Sequence, residues 1–335
     1  MKPFKRYISM ILCALLILSF VGCDEKKVLE SSKKDLTVVK TIGELDVPLE
    51  MYKYVALNHK SAYESGSTSD IWLGEPGQLL LEEINADINK SLTQMYTVPM
   101  ICSEYGIDIN DQYIIDMLEI KMDDIYETYG YDYKAYTEEI SAYNMNDSVY
   151  RFFIRNEILA DEIIAKMMEK GEVPGDIETI KGILKGEECA RVKQILIASD
   201  NGKTKEENAA LAATVLTLLE DGADFDKLIR EYGEDLFMFN NSDGYYITRG
   251  NLHKAFEDAA FSLEIGEVSD IVETDAGFSI IKRFEKDNGY IDKNIDSLAS
   301  DYISGLYNIA LEKYSSTLQI KDTPKASKYS IFNLK

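Results

Sequence analysis

The spacing of apolar residues changes character once along this chain, and that change decides what it can fold into. Between Gln78 and about Lys170, Leu79, Leu80, Ile84 and Ile88 recur at three-to-four spacing, as do Ile114, Leu118, Met122, Ile125 and Tyr129. That spacing predicts amphipathic helices. Asn110 and Asp147 stand where N-caps belong, and Pro99 should kink or end the first helix, because its ring displaces an N–H and clashes with the preceding turn. After Cys189 the period alternates. Ala190–Ala198 reads as a strand and Glu206–Glu220 as an Ala/Leu-rich helix stopped by Asp221-Gly222. A short helix carries Phe225, Leu228, Ile229 and Tyr232 on one face, another runs from about Leu252 to Leu263, and strands follow at 267–273 and 277–284. The segment Gly171-Glu172-Val173-Pro174-Gly175 lies between the two regimes and marks their junction, since paired Gly and Pro punctuate helices. Ile295, Leu298, Tyr302, Leu306 and Ile309 define one more amphipathic helix. It needs a partner face and is expected to pack back on the N-terminal region. The fold class is therefore α+β, a helical N-terminal domain followed by a mixed domain of about 100 residues.

The N-terminus addresses location. Lys2, Lys5 and Arg6 precede an apolar run from Ile8 to Gly22, the charged and apolar regions of an export signal, and the run is short for a membrane span. It ends at Phe20-Val21-Gly22-Cys23, which resembles a lipobox, so Cys23 is the expected lipidation site and mature N-terminus. An uncleaved anchor or a buried apolar segment are the competing readings. Residues 24–34 are charged and Ser-containing without apolar periodicity, as suits a spacer between lipid and folded body. The expected location is the extracytoplasmic face of the cell membrane.

With 335 residues, 45% of them apolar, the chain can bury a sizeable core in two domains. Its formal charge is −23, and losing the three cations of the signal makes the mature chain more acidic still. Such a surface repels nucleic acid and anionic lipid heads. Cys102 and Cys189 are the cysteines left outside the signal and Cys23, too few for a disulfide framework and without metal-ligand spacing. A single bridge between them is conceivable, with nothing in the sequence to support it. There is no Ser-His-Asp or Cys-His arrangement, no nucleophile elbow, no phosphate-cradling Gly loop and no Zn motif. No cofactor and no metal is expected.

One stretch has a recognisable motif series. Arg249-Gly250-Asn251-Leu252-His253-Lys254-Ala255-Phe256-Glu257-Asp258-Ala259-Ala260-Phe261-Ser262-Leu263 resembles the parvulin segment Phe-Glu-x-Ala-x-Phe-x-Leu and the apolar residue before it. Gly266-Glu267-Val268-Ser269 and Thr274-Asp275-Ala276-Gly277-Phe278-Ser279-Ile280-Ile281-Lys282 follow in the family's order and spacing. Upstream, Ala190–Ile197 resembles the first parvulin strand, and Gly222-Ala223-Asp224-Phe225-Asp226-Lys227-Leu228 its first turn and helix. The resemblance covers residues 186–287 and implies an antiparallel sheet of about four strands with surrounding helices. The whole arrangement resembles the PrsA-type foldase lipoproteins and, more distantly, the SurA-type chaperones, with Gly106-Ile107-Asp108-Ile109-Asn110-Asp111 as the N-terminal match. The implied layout is signal 1–22, lipidated tether 23–36, helical domain 37–180, parvulin-like domain 186–287 and a closing helical region 288–335.

The resemblance also implies a chemistry. An X-Pro bond isomerises slowly because its amide must lose resonance over a barrier near 18–20 kcal/mol, and a catalyst has to bind the twisted form better. An apolar pocket that sheds water serves this, because a twisted amide is less polar at its oxygen. Leu252 and Phe256 match the family's proline pocket, with Phe261 as a supporting wall, although for Phe261 plain core packing is the preferred reading. The family's two histidine positions read Gln194 and Ser279, while Asp235 and Thr274 match its Cys/Asp and Thr positions, so the four form the expected polar wall. His59 and His253 fall outside the motif and read as surface residues. Leu236–Asn241 and Tyr245-Tyr246 replace the family's Gly-rich turn. The implied function is peptidyl-prolyl isomerisation on unfolded or partly folded exported proteins, with a dimer left open. A non-catalytic holdase with a degenerate parvulin domain is the alternative, favoured by the missing histidines, and a surface-structural lipoprotein is a third class.

Overall fold

The computed structural model describes residues 37–65 and 71–334. Cys23, the export signal and most of the expected tether lie outside them. Contacts divide the chain into two units, one of residues up to Met167 together with Leu311–Lys335, the other Met168–Ala310.

The first unit is helical with a small sheet. β1 (Val38–Ile42) and β2 (Leu45–Pro48) form an antiparallel hairpin across the turn at Gly43, whose φ of 56° suits a residue without Cβ. The C-terminal β7 (Ile320–Asp322) adds to β1, giving the order β2-β1-β7. Val39, Ile42 and Val47 pack on Met51, Tyr52, Val55 and Ala56 of α1 (Leu49–Glu64) and on Ile84, Ile88, Leu92 and Tyr96 of α2 (Gly74–Ile101). α2 continues two residues past Pro99 and tightens into a 3-10 turn at Cys102–Tyr105, the expected helix end.

A second cluster of Met122, Tyr136, Ile140 and Ile154 joins α3 (Gln112–Thr128), α4 (Tyr133–Ser141) and α5 (Asp147–Glu169). The caps fall one residue from where the sequence put them. Asp111, not Asn110, accepts the Tyr113 N–H, and Asn146, not Asp147, accepts the Val149 N–H at 3.0 Å. Asp147 is thereby free to accept the hydroxyls of Tyr126 and Tyr136 at 2.8 and 3.1 Å. A buried tyrosine needs such a partner.

The second unit carries the four-stranded antiparallel sheet, in the order β4-β3-β6-β5. After α6 (Ile177–Lys185) come β3 (Ala190–Ala198), α7 (Lys205–Glu220), α8 (Phe225–Tyr232), α9 (Leu236–Asn240), β4 (Tyr245–Ile247), α10 (Lys254–Ser262), β5 (Val272–Thr274), β6 (Gly277–Phe284), α11 (Asn288–Lys293) and α12 (Ile295–Ser315). Side chains alternate across a strand, so β3 and β6 present two faces. Ile195, Ile197, Phe278 and Ile280 pack on α7 and α8 through Ala212, Val215, Phe225, Leu228 and Ile229. Ala190, Val192 and Ile281 face α10 through Phe256 and Ala260.

Two expected elements are shorter than the sequence suggested. The strand at 267–273 reduces to β5, preceded by an isolated bridge of Val268 to Lys282. The helix expected from Leu252 begins at Lys254, because the backbone N–H groups of residues 250–252 are already held by Glu257. Asp301 and Asn308 of α12 are bonded to residues 250–251 of the second unit, and the chain from Leu311 onward belongs to the first.

Candidate active site

Gln194 and Ser279 lie on the face of the sheet that also carries Val192 and Ile281, since Gln194 pairs with Ile281 and Leu196 with Ser279 across β3 and β6. They are diagonal neighbours, and diagonal pairs are within reach of long side chains. The Ser279 hydroxyl, 2% exposed, donates to Gln194 Oε1 at 2.8 Å. Gln194 Nε2 donates to Asp235 Oδ2 at 2.7 Å. Asp235 is the N-cap of α9, its Oδ1 accepting the Phe237 N–H at 2.9 Å. A fourth member joins that the sequence did not assign: the Tyr245 hydroxyl donates to Asp235 Oδ2 at 2.8 Å. Burial first, and the Asp235 carboxylate second, hold the Tyr245 proton well above the usual tyrosine range. The result is one continuous chain of hydrogen bonds, Ser279 to Gln194 to Asp235 to Tyr245, in which every link joins a donor to an acceptor.

Thr274 is not part of that chain. It sits at the end of β5, opposite Gly277, and its Oγ1 accepts the Ala276 N–H at 3.2 Å within the β5–β6 turn. His253 is the exposed N-cap of α10, its Nδ1 accepting the Ala255 N–H, and His59 pairs with Ser91 in the first unit.

The apolar side of the site is built by α10 and the loop before it. Phe256, 7% exposed, packs against Val192, Ile247 and Ile281. Val192 and Gln194 are alternate residues of one strand face, and Ile281 is the register partner of Gln194. Phe256 therefore stands beside the polar chain on the same side of the sheet. Leu252 is 44% exposed, available to an incoming ligand rather than spent in the core. Phe261 is half-buried and carries the Arg249 guanidinium 4.4 Å above its ring, which makes it a support for the Arg249 side of the loop.

Glu257 is the positioning residue that the motif contained without its role being read. It is buried at 6% exposure, and its carboxylate gathers the N–H groups of Gly250, Asn251 and Leu252 at 2.8–2.9 Å. Successive backbone donors converging on one anion form a fixed nest, and this one sets where Leu252 stands. The signal was a carboxylate in the first turn of a short helix, next to the apolar Phe256 and seven residues after a glycine. The loop is also pressed on α12: Gly250 has φ of 94°, and a Cβ there would lie 2.2 Å from the Gly305 oxygen. Asn251 Nδ2 donates to the Asp301 carbonyl and Asn308 Nδ2 to the Gly250 carbonyl, at 2.7 and 2.9 Å.

α9 borders the polar chain and exposes apolar surface: Leu236 at 77%, Phe237 at 44% and Phe239 at 46%. Phe237 stacks on Tyr245 with ring centroids 4.4 Å apart. Among the described residues no group of His, Cys, Asp and Glu could hold a metal ion, and no helix is long and apolar enough to cross a membrane.

The sheet and its flanking helices lie within residues 177–287, which match the family described as PPIC-type PPIASE domain. Over that segment, about a third of the chain, it is similar to the parvulin-type peptidyl-prolyl isomerases. Its relatives include the foldase protein PrsA of Geobacillus sp. (strain WCH70), 29% identical over 171 residues, which are 51% of this chain and 55% of that one. The chain thus spans about half the length of that relative. The foldase protein PrsA of Caldanaerobacter subterraneus subsp. tengcongensis is 25% identical across 96% of both chains. Among solved structures, the peptidylprolyl isomerase PrsA of Bacillus anthracis has a TM-score of 0.36 at 19% identity, covering 67% of this chain and 96% of that one.

Proposed function

We propose that this chain is a peptidyl-prolyl cis-trans isomerase and foldase, lipid-anchored through Cys23 on the extracytoplasmic face of the membrane, acting on exported proteins that are not yet folded. What supports the reading is Phe256, packed on Val192 and Ile281 next to the Ser279–Gln194–Asp235–Tyr245 chain, with Leu252 exposed in the loop that leads into α10. Phe256 and Leu252 seat the proline ring and exclude water from the adjoining amide, which favours the twisted, less polar form. The polar chain orients the peptide segment on the other side. Thr274 supports the β5–β6 turn that leads into the strand carrying Ser279, and Phe261 backs the Arg249 loop. Neither Gln194 nor Ser279 titrates as imidazole does, so the site works by shape and hydrogen bonding, without proton transfer.

A holdase without catalysis is the second reading, favoured by the exposed side chains of α9, which offer apolar contact to an extended chain. The test is a protease-free isomerisation assay of the full-length chain on a panel of Xaa-Pro peptides. Acceleration that disappears with Phe256→Ala and falls with Asp235→Ala is the expected result. No acceleration on any peptide, with binding of the same peptides retained, would leave the holdase. Anchoring is tested separately: Cys23→Ala should move the protein from the membrane fraction to the soluble one.

A further inference from the structure

Neither histidine of the chain lies in the polar group, and Tyr245, which no motif residue marks, closes it instead. Two donors meet on Asp235 Oδ2, the Gln194 amide at 2.7 Å and the Tyr245 hydroxyl at 2.8 Å, while Oδ1 takes the Phe237 N–H. A side-chain amide is nearly symmetric in shape, so its partners alone decide which end points where. Here Oε1 is committed to the Ser279 hydroxyl and Nε2 to the carboxylate. The reversed amide would set its oxygen against an acceptor.

That orientation holds only while Asp235 is held. Asp235 caps α9, a helix of five residues with three exposed apolar side chains, and so short a helix is marginal on its own. Tyr245 is better anchored, because its strand pairs with β3 and its Cα partner is Val192. Its ring also stacks on Phe237, so one side chain grips both the capping carboxylate and the first turn of α9.

We infer that Tyr245 is the positioning residue of this site: its hydroxyl fixes Asp235, and through Asp235 it fixes the orientation in which Gln194 presents its amide to the bound Xaa-Pro segment. The catalytic consequence rests on the isomerase reading above, whereas the positioning does not.

The test uses Tyr245→Phe in the full-length chain, a change that keeps the ring and its stack and deletes only the hydroxyl. Two readouts are taken. The Gln194 side-chain amide resonances, in 15N-glutamine-labelled protein, are expected to shift and to exchange faster with solvent. In the peptide assay kcat should fall about tenfold with KM changed less than twofold, and Gln194→Ala combined with Tyr245→Phe should be no slower than Gln194→Ala alone. Unmoved Gln194 resonances overturn the proposal, as does an unchanged kcat in an active enzyme. If the unaltered protein has no isomerase activity, the isomerase reading fails by itself, and the resonances still decide whether Tyr245 positions Gln194. Tyr245→Ala, which also removes the stack on Phe237, should shift the same resonances, and their constancy in that variant would likewise refute the role.

Discussion

The Glu257 carboxylate grips the Gly250 N–H with both oxygens, at 2.8 and 2.9 Å, and holds the loop that carries Leu252 in place. Among the described residues no cation is seen paired with it, and backbone dipoles hold the carboxylate. Glu257→Gln keeps one acceptor and turns an amide NH2 toward backbone donors, so it should lower stability by about 2–4 kcal/mol. Denaturant unfolding should show a reduced midpoint at unchanged slope. Because Leu252 is positioned by the same contacts, KM for Xaa-Pro peptides should rise as well. A variant with native midpoint and native KM would show that the nest is dispensable.

Phe256 is core by its packing and seats proline in the proposed function, and two substitutions separate the roles. Phe256→Ala removes a ring packed on Val192, Ile247 and Ile281, which costs about 3–5 kcal/mol. Phe256→Leu keeps most of the apolar volume, with an expected cost below about 1.5 kcal/mol. If the ring face seats proline, Phe256→Leu should still lose most of kcat/KM while its unfolding midpoint stays near that of the unaltered chain. Full activity in Phe256→Leu would assign Phe256 to the core alone.

The exposed side chains of α9 allow a test that barely touches stability. Phe237→Ser with Phe239→Ser removes two aromatic surfaces that are nearly half exposed, and surface changes of this kind alter stability little. Phe237 also stacks on Tyr245, worth about 0.5–1.5 kcal/mol, which sets the expected loss. Suppression of aggregation of an unfolded client should weaken several-fold if α9 contacts extended chains. Equal suppression by the double variant would move client contact elsewhere.

Much of the second unit was legible because its signals are local. The alternation in Ala190–Ala198 and the apolar face of Phe225–Tyr232 report burial directly, and the motif from Arg249 to Leu263 has fixed spacing. What escaped depended on partners distant in sequence. β7 pairs with β1 across some 280 residues, and a three-residue strand has no period to read. Tyr245 stood in a segment with no family counterpart, and only the fold brings its hydroxyl to Asp235. Thr274 matched by position, yet its hydroxyl serves its own turn. Caps were misplaced by one residue because adjacent Asn and Asp offer the same chemistry, and tertiary contacts choose between them, as Tyr126 and Tyr136 do by engaging Asp147.

Both cysteines of the described residues are free and buried, which makes the fold sensitive to alkali. Burial pushes the Cys102 thiol up to about 12 and the Cys189 thiol up to about 11, from an ordinary 9.0. A group whose folded pKa is raised keeps its proton more tightly when folded. Its contribution to stability is complete below the unfolded value and is lost as pH rises through the folded one. Stability should therefore hold to about pH 9 and then fall, by up to about 1.4 kcal/mol per pH unit for each thiol. Tyr96, Tyr136 and Tyr245 are raised by burial too, and add to the decline above pH 10. Denaturant midpoints at pH 8, 9, 10 and 11 measure this, with Cys102→Ala and Cys189→Ala each expected to flatten the step between pH 9 and 10. A midpoint that stays constant to pH 11 would mean that the two thiols meet solvent in the folded chain.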